Sequence, residues 1–244
     1  MKTLNELKKT GVDLEYGAYC DHTVLRAFTT SQTIKEFCRE AVEYKAAAVC
    51  VNPVQVALAK ECLAGTGVKT ATVIGFPLGA NKPSVKAFEA AEAVADGADE
   101  VDMVINIAAL REKNDALVLE DIQGVVNASK GKAKVKVIIE TCYLTREEKI
   151  RACQLALQAG ADFVKTSTGM APGGATVEDI RLMKEVVGDK MEVKASSGID
   201  DRAIARAMIE AGATRLGTSK TPQIVSDDPT LISATKRHRP PTVS

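Results

Sequence analysis

The sequence repeats one arrangement three times, in segments 95–102, 158–165 and 210–217. In each, a helix-like stretch rich in alanine and charge ends near a glycine, and a short run of β-favouring residues follows at once. The glycines, Gly97, Gly160 and Gly212, suit the left-handed conformation that closes many helices. The repeat therefore predicts three direct connections from a helix to a strand.

Five further apolar runs of the same character raise the number of predicted strands to eight. Helical patterns follow the strands, and two helices open with the spacing of a capping box, at 145–148 and 176–179. Short strands that alternate with helices indicate a parallel sheet, and eight such units predict a single (β/α)8 TIM barrel. An open doubly wound sheet is the alternative, but the chain lacks the glycine-rich dinucleotide fingerprint after its first strand. The predicted strands are 18–23, 47–51, 70–74, 100–106, 135–139, 162–165, 191–194 and 214–217.

The chain is expected to form one barrel domain over residues 1–235, in which residues 1–15 form a short N-terminal helix before the first strand. Residues 236–244, Lys-Arg-His-Arg-Pro-Pro-Thr-Val-Ser, are basic and contain proline. We expect this tail to be disordered rather than a binding arm.

Composition excludes several classes of partner. The 32 basic and 32 acidic residues cancel, so no long-range field is available to collect nucleic acid or an anionic membrane. The six cysteines form no Cys-x-x-Cys pair, and no Cys/His cluster has the spacing of a zinc site. No segment has the length and hydrophobicity of a transmembrane helix, and the start lacks the apolar core of a signal peptide. We therefore expect a soluble, cytoplasmic protein that binds no metal.

Reacting groups in β/α barrels come from the carboxyl ends of the strands and the loops that follow. Two lysines, several carboxylates and small hydroxyls near predicted strand ends form an unusual set for a barrel interior. These polar candidates are Asp21, Asn52, Asp102, Asn106, Glu140, Lys165, Thr166, Ser167, Lys194 and Ser196.

Lys165 and Lys194 lie in successive predicted strands, next to apolar neighbours. Adjacent strands are about 4.8 Å apart, so the two amines can approach closely. A neighbouring cation and an apolar wall both lower the pKa of a lysine, and the neutral amine is the form that attacks a carbonyl to give a Schiff base. Either lysine alone could simply reach solvent from a strand end. The pair of lysines, with Asp102 nearby, favours a catalytic role over a structural one.

Asp102 lies on the same face of its predicted strand as Glu100, opposite the apolar residues Val101 and Met103. A carboxylate inside the barrel needs a partner, which the lysines supply, and it can also transfer protons. A purely structural ion pair is the alternative.

Glycines and hydroxyls concentrate in segments 166–169, 196–198 and 217–219, after strands six, seven and eight. The last loops of β/α barrels often bind phosphate through backbone N–H groups. Turn formation alone also explains such residues, but their convergence on one sector favours a phosphate site. The cysteines are interpreted as packing residues, and His22 as a histidine whose ring is satisfied within the fold.

Motifs along residues 15–225 resemble, in order, those of the deoxyribose-phosphate aldolase family. They are Asp21-His-Thr, Val49-Cys-Val-Asn-Pro53, Val73-Ile-Gly-Phe-Pro-Leu-Gly79, Ala98-Asp-Glu-Val-Asp-Met-Val104, Lys136-Val-Ile-Ile-Glu-Thr141, Gly160-Ala-Asp-Phe-Val-Lys-Thr-Ser-Thr-Gly169 and Arg215-Leu-Gly-Thr-Ser219.

The resemblance implies a β/α barrel without metal or organic cofactor, which reversibly joins acetaldehyde to glyceraldehyde 3-phosphate to give 2-deoxyribose 5-phosphate. It further implies that Lys165 forms the Schiff base, that Lys194 lowers the pKa of Lys165, and that Asp102 transfers protons. Dimers are common among such barrels, so a homodimer is one expected assembly. The expected substrate-binding residues are Asp21, Cys50, Thr166, Thr168, Gly169, Ser197, Gly198, Gly217 and Ser219.

The chain departs from the family pattern in two of the loops expected to hold phosphate. Ala195-Ser-Ser-Gly-Ile-Asp200 stands where the family usually has Ala-Ser-Gly-Gly-Ile-Arg, and Lys220-Thr-Pro222 follows the final Gly-Thr-Ser. A serine at 197 could obstruct close backbone approach, and Asp200 would repel phosphate unless Lys220 offsets it. A second hypothesis is therefore an aldolase of the same type that favours unphosphorylated or different acceptor aldehydes. A Schiff-base barrel for a different carbonyl donor, a pyridoxal-phosphate enzyme and a catalytically silent barrel that binds a metabolite also fit parts of the pattern.

Overall fold

The structure is a computed structural model that describes residues 12–228, 230 and 231. Its eight strands are parallel, pair in sequence order and close between the last strand and the first. The predicted (β/α)8 barrel is confirmed, and the strand ends differ from the predicted ones by no more than two residues. The strands are β1 Cys20–Val24, β2 Ala48–Val51, β3 Lys69–Ile74, β4 Glu100–Val104, β5 Lys134–Ile138, β6 Phe163–Lys165, β7 Glu192–Ser196 and β8 Arg215–Thr218.

Helices follow every strand and form the outer layer. A 3-10 helix at Leu14–Tyr19 precedes β1, whereas most of the predicted N-terminal helix and the whole tail 236–244 lie outside the described residues. None of the helices in the described ranges is long and apolar enough to cross a membrane. The α-helices are α1 Ser31–Glu43, α2 Val56–Cys62, α3 Pro83–Ala95, α4 Ile107–Arg111, α5 Asp115–Ser129, α6 Arg146–Ala159, α7 Val177–Val187, α8 Arg202–Glu210 and α9 Thr221–Ser226.

Local sequence determines where α6 begins and ends. Thr145 and Glu148 form the reciprocal capping box, in which each side chain accepts a hydrogen bond from the other's backbone N–H. At the other end Gly160 takes the left-handed conformation, with φ +81°, and the chain enters β6 three residues later. Gly97 and Gly212 also have positive φ, as the repeated pattern predicts.

The two faces of the barrel wall pack differently. The outward faces of the strands and the inward faces of the helices share one large apolar core. Inside the barrel, β2 and β3 contribute a small apolar cluster of Ala48, Cys50, Ala71 and Val73. These short apolar side chains face the longer polar side chains of the remaining strands.

Candidate active site

Charged side chains fill the rest of the barrel interior. Alternation along the strands turns them inward, and seven meet there in a network of ion pairs. Six of them are at most 5% exposed and Arg215 is 13% exposed, so their charges are balanced by each other rather than by water. The seven, hereafter the interior charge network, are Asp21, Glu100, Asp102, Lys136, Lys165, Lys194 and Arg215.

Asp102 is the centre of the network. Its Oδ2 accepts hydrogen bonds from Lys165 Nζ at 2.7 Å and from Lys194 Nζ at 2.8 Å, and its Oδ1 accepts one from Lys136 Nζ at 2.7 Å. Burial alone would raise the pKa of Asp102, but the three lysines hold it well below its ordinary value. Asp102 is therefore an ionised group that joins three amines.

Asp21, on β1, contacts two of the same amines as Asp102. One oxygen contacts Lys194 and lies 3.4 Å from Lys136 Nζ, while the other contacts Arg215 Nη1 at 2.7 Å. Burial opposes ionisation, yet Lys136, Lys194 and Arg215 together lower the pKa of Asp21. The predicted site residue Asp21 thus lies below the mouth of the barrel and directly contacts Lys194.

Lys165 and Lys194 differ in the charges around them. Burial and the neighbouring Lys194 lower the pKa of Lys165, and Asp102 opposes this shift without reversing it. Burial also disfavours charge on Lys194, but Asp102 and Asp21 outweigh it and raise the pKa of Lys194. Lys165 is 4% exposed and Lys194 is fully buried. Lys165, the slightly exposed lysine of the two, is therefore also the one that loses its proton more readily.

Gly217 creates the space that Lys194 needs. A Cβ at this position would lie 2.8 Å from the Ser196 Cβ and 3.1 Å from the Lys194 Cε. Gly217 pairs with Asp21 across the β1–β8 seam, so the Lys194 side chain passes over the glycine to reach Asp21. Gly217, one of the predicted site residues, thus packs against the Lys194 side chain.

Cys50 faces the same interior from β2. Burial raises the pKa of the Cys50 thiol to about 11, and Asp102 adds to this effect. The thiol is therefore protonated at neutral pH and forms part of the apolar wall with Ala71 and Val73. The structure thus places Cys50 as a packing residue in the apolar part of the barrel wall.

The loop after β6 is attached to its neighbours on both sides. The Thr166 hydroxyl donates to the Ser196 carbonyl at 3.2 Å and accepts from the Ser196 N–H at 3.1 Å, so it is engaged within the protein. Thr168 donates its backbone N–H to Glu140, at 3.2 Å to Oε2, and its hydroxyl contacts the same carboxylate. In the described part of the chain the buried Ser167 hydroxyl has no hydrogen-bond partner, which makes it a candidate to contact substrate.

The three glycine- and hydroxyl-rich segments meet as the sequence predicted. A Cβ on Gly169 would lie 3.7 Å from the Ser197 Cβ, and Ser196 adjoins both the Thr166 loop and Gly217. Gly169, Gly198 and Ser219 are exposed at the mouth. Ser197 has φ +72°, a conformation that suits glycine better than serine.

Asp200 and Lys220, from the two loops that depart from the family pattern, pair with each other. Lys220 Nζ lies 2.6 Å from Asp200 Oδ1, and 26% of the lysine side chain and 58% of the aspartate side chain are exposed. Lys220 therefore offsets the negative charge of Asp200, but the ion pair also holds the Lys220 amine in place.

His22 on β1 is buried outside the interior charge network. Its ring contacts the Thr221 hydroxyl at 3.0 Å and the Glu40 carboxylate at 3.2 Å. Both ring nitrogens thus have partners, as expected for a histidine that is satisfied within the fold.

Sequence reasoning missed three residues of the interior charge network as site residues, namely Glu100, Lys136 and Arg215. Lys136 contacts Asp102 and Glu100, and Arg215 contacts Asp21 and Glu100. A detectable pattern was present, because Lys136 alternates with valines in a strand that a closed barrel buries on both faces. Among residues 12–228, 230 and 231, no three His, Cys, Asp or Glu side chains lie together in a way that could hold a metal ion.

The fold and the site define a β/α-barrel enzyme with a lysine pair buried around one carboxylate. The family model for DeoC/LacD family aldolases matches residues 18–220, so the chain belongs to this aldolase family and is a lyase. The deoxyribose-phosphate aldolase of Geobacillus sp. (strain WCH70) is 60% identical over 84% of this chain and 92% of its own length. That of Alkaliphilus oremlandii is 59% identical over 86% of this chain and 95% of its own.

Solved structures agree with this assignment. An aldolase called QR15 superposes with a TM-score of 0.83 at 44% identity, over 87% of this chain and 95% of its own. The deoxyribose phosphate aldolase of Aeropyrum pernix, described as a tetramer, superposes with a TM-score of 0.83 at 29% identity, over 94% of this chain and 97% of its own.

Proposed function

We propose that this protein reversibly cleaves 2-deoxy-D-ribose 5-phosphate to acetaldehyde and glyceraldehyde 3-phosphate through a Schiff base on Lys165. The observation that carries the proposal is the shared Asp102 oxygen, which contacts both Lys165 and Lys194. The names of the relatives support the choice of substrates.

The first step needs a neutral amine. Burial and Lys194 lower the pKa of Lys165, so a larger fraction of this amine is unprotonated near neutral pH. The amine adds to the aldehyde carbon of the open-chain sugar, and water leaves as the iminium ion forms. Lys194, whose pKa is raised, remains protonated and can donate the proton that the departing water requires.

The second step breaks a carbon–carbon bond. A base removes the proton of the C3 hydroxyl, and the electron pair of the C2–C3 bond moves into the iminium. This releases glyceraldehyde 3-phosphate and leaves an enamine on Lys165. Protonation of the enamine carbon, followed by addition of water, then releases acetaldehyde and frees Lys165. Asp102 contacts both amines through one oxygen, so it provides a path for proton transfer between them.

The substrate phosphate would lie at the mouth, against the loops that contain Gly169, Gly198 and Ser219. These residues are exposed there, and backbone N–H groups in glycine-rich loops are suited to phosphate. Thr166 and Thr168 position the loop after β6, because their hydroxyls donate hydrogen bonds to Ser196 and Glu140. Asp21 and Cys50 are fully buried, where Asp21 contacts Lys194 and Cys50 belongs to the apolar cluster of β2 and β3.

The competing hypotheses raised by the sequence are not favoured. Relatives that carry the deoxyribose-phosphate aldolase name match most of the chain at high identity. The Asp200–Lys220 pair leaves the two departing loops without an uncompensated negative charge. These observations favour the phosphorylated acceptor over an unphosphorylated one.

We also propose a homodimer in the cytoplasm. Leu78 and Phe88, which lie before and within α3, are 73% and 67% exposed, and such apolar surface often marks an interface. All six cysteines are free thiols, as is usual in a reducing compartment. Light scattering of the purified protein and of a Phe88→Arg variant tests the dimer, and cell fractionation tests the compartment. A monomeric parent protein, or a thiol-oxidised secreted one, would contradict these proposals.

The substrate is tested by steady-state kinetics with 2-deoxyribose 5-phosphate, in which coupling enzymes isomerise the released glyceraldehyde 3-phosphate and reduce the product with NADH. The expected result is saturable cleavage that Lys165→Met abolishes and that chelators leave unchanged. Cleavage of unphosphorylated 2-deoxyribose with equal or greater kcat/KM would contradict the assignment.

A further inference from the structure

The interior charge network contains one more cation than anion. Lys136, Lys165, Lys194 and Arg215 face three carboxylates, those of Asp21, Glu100 and Asp102. A guanidinium does not lose its proton in proteins, whereas a buried lysine can. The network therefore reaches neutrality only when one of its three lysines is unprotonated.

Arg215 forms ion pairs with two carboxylates, Asp21 and Glu100, that also contact lysines of the network. Its Nη1 lies 2.7 Å from Asp21 Oδ1 and 2.8 Å from Glu100 Oε2, the oxygen that also contacts Lys136 at 2.5 Å. The guanidinium also lies 5.2 Å from the centre of the Phe163 ring, a contact that favours a cation. Arg215 is thus a fixed positive charge inside the barrel.

The lysines differ in the number of carboxylates that hold their protons. Lys136 contacts Asp21, Glu100 and Asp102, and Lys194 contacts Asp21 and Asp102. Among the carboxylates of the described residues, Lys165 contacts only that of Asp102. Of the three, Lys165 is accordingly the easiest to deprotonate.

We propose that Arg215 is a positioning residue that makes Lys165 the neutral member of the interior charge network, by adding a permanent cation to three lysines and three carboxylates. The inference rests on the proposed function, because it assigns a purpose to the neutral amine of Lys165. Arg215 does not contact the reacting atoms. Because Lys165 contacts Asp102 rather than Asp21 or Glu100, Arg215 acts at a distance: it offsets the negative charge of Asp21 and Glu100 and so makes the electrostatic potential at Lys165 more positive.

The other charged or titratable groups near Lys165 are consistent with this assignment. Cys50 stays protonated and adds no charge, and Glu140 accepts hydrogen bonds from Thr168 in the loop above. The titratable groups that act on Lys165 are Asp102, which it contacts, and the neighbouring Lys194 and Cys50, while Lys136 shares Asp102 with it.

The test measures the titration of Lys165 without requiring catalysis. The protein is labelled briefly with acetic anhydride across a pH series, and the rate at Lys165 is measured by peptide mass spectrometry, with exposed Lys134 as an internal reference. Arg215→Met removes a cation and is expected to raise the apparent pKa of Lys165 by about 1 pH unit. Glu100→Gln removes an anion and is expected to lower it by a similar amount.

Two further variants separate charge from structure. Arg215→Lys should keep the charge, because Asp21 and Glu100 would both hold the proton of the new amine, and it should leave the titration of Lys165 near that of the parent. The double variant Arg215→Met/Glu100→Gln removes one charge of each sign, so its Lys165 should titrate near the parent and at higher pH than in Glu100→Gln. That difference from Glu100→Gln provides the test if Arg215→Met alone does not fold. Shifts of opposite sign in the two single variants, with restoration in the double variant, support the proposal. Unchanged titration, or shifts of the same sign, overturns it.

The two proposals can fail separately. If Lys165 titrates as expected but acetaldehyde and borohydride leave no adduct on it, the Schiff-base function is wrong and the electrostatic role of Arg215 stands. If the adduct forms but charge removal at Arg215 leaves the titration of Lys165 unchanged, only the role of Arg215 is wrong. The pH profile of kcat/KM is a second, independent measure of the Lys165 titration, since its acidic limb should move with the pKa of Lys165.

Discussion

Lys165 and Asp102 are 63 positions apart in the chain, yet the Nζ of Lys165 lies 2.7 Å from the Oδ2 of Asp102. The same oxygen accepts a hydrogen bond from Lys194 at 2.8 Å. Because one ionised oxygen serves two amines, the charge on either amine changes the free energy of protonating the other. The reactivity of Lys165 is therefore a property of the network and not of one side chain.

Replacing Lys194 with methionine removes the like charge next to Lys165. The pKa of Lys165 should rise, because Lys194 is one of the groups that lower it. The acidic limb of kcat/KM against pH should move to higher pH, and kcat should fall by about 10²- to 10⁴-fold as an acid is lost. Lys134→Met, on an exposed side chain of β5, is the matched control and should leave the profile unchanged. An unshifted acidic limb in Lys194→Met would mean that Lys194 does not control the titration of Lys165.

Replacing Asp102 with asparagine should reduce both activity and stability. The lysines lose their common anion, and breaking such a buried group typically costs about 3–5 kcal/mol of unfolding free energy. Because its folded pKa lies below the unfolded value, Asp102 stabilises the fold above about pH 4, and this contribution is lost as the pH falls through the folded value. Urea unfolding of both proteins at pH 7 and at lower pH measures the effect. Equal stabilities at pH 7 would refute it.

Replacing Gly217 with alanine should displace Lys194 without changing any charge. The added Cβ would lie 3.1 Å from the Lys194 Cε and 2.8 Å from the Ser196 Cβ. We expect a loss of about 1–3 kcal/mol in stability, typical of overpacking, together with a fall in kcat. Gly124→Ala in α5 is the control, since its Cβ would meet the Ala87 Cβ at an ordinary 3.5 Å. A Gly217→Ala enzyme with the parent's kcat would show that the path of the Lys194 side chain is not critical.

Replacing Asp200 with asparagine should release Lys220 for the substrate phosphate. The pair is partly exposed, so the change is expected to be small, a decrease of about threefold in KM for the phosphorylated sugar at low salt. Kinetics with unphosphorylated 2-deoxyribose should not change. Asp189→Asn, which breaks the exposed pair with Lys184 elsewhere, serves as the control. A higher KM for the phosphorylated sugar in Asp200→Asn would argue against a phosphate at this position.

The fold was predictable because local and long-range patterns agree. Gly160 has the left-handed conformation that the repeat required, and β6 begins at Phe163, one residue after the predicted start. Eight such units have one compact closed arrangement. The proximity of Lys165 and Lys194 followed from their positions on successive strands, and the register pairs them directly.

The rest of the interior was less accessible to sequence reasoning. Lysine and arginine are also common at solvent-facing positions of strands. That Lys136 and Arg215 point inward therefore depends on barrel closure and on the register of their strands. The partners of Thr166 were equally hidden, because they depend on how closely β6 and β7 approach. Sequence positions identify candidates, but which oxygens remain free is decided by tertiary contacts.

The most direct test of the central claim is to trap the imine. The protein is incubated with acetaldehyde, reduced with sodium borohydride and digested for peptide mass spectrometry, with Lys165→Met and the exposed-site variant Lys134→Met treated in parallel. We predict a reduced two-carbon adduct on Lys165 in the parent and in Lys134→Met, and none on this peptide in Lys165→Met. A folded parent protein without an adduct on Lys165, or with the adduct on Lys194 instead, would contradict the account.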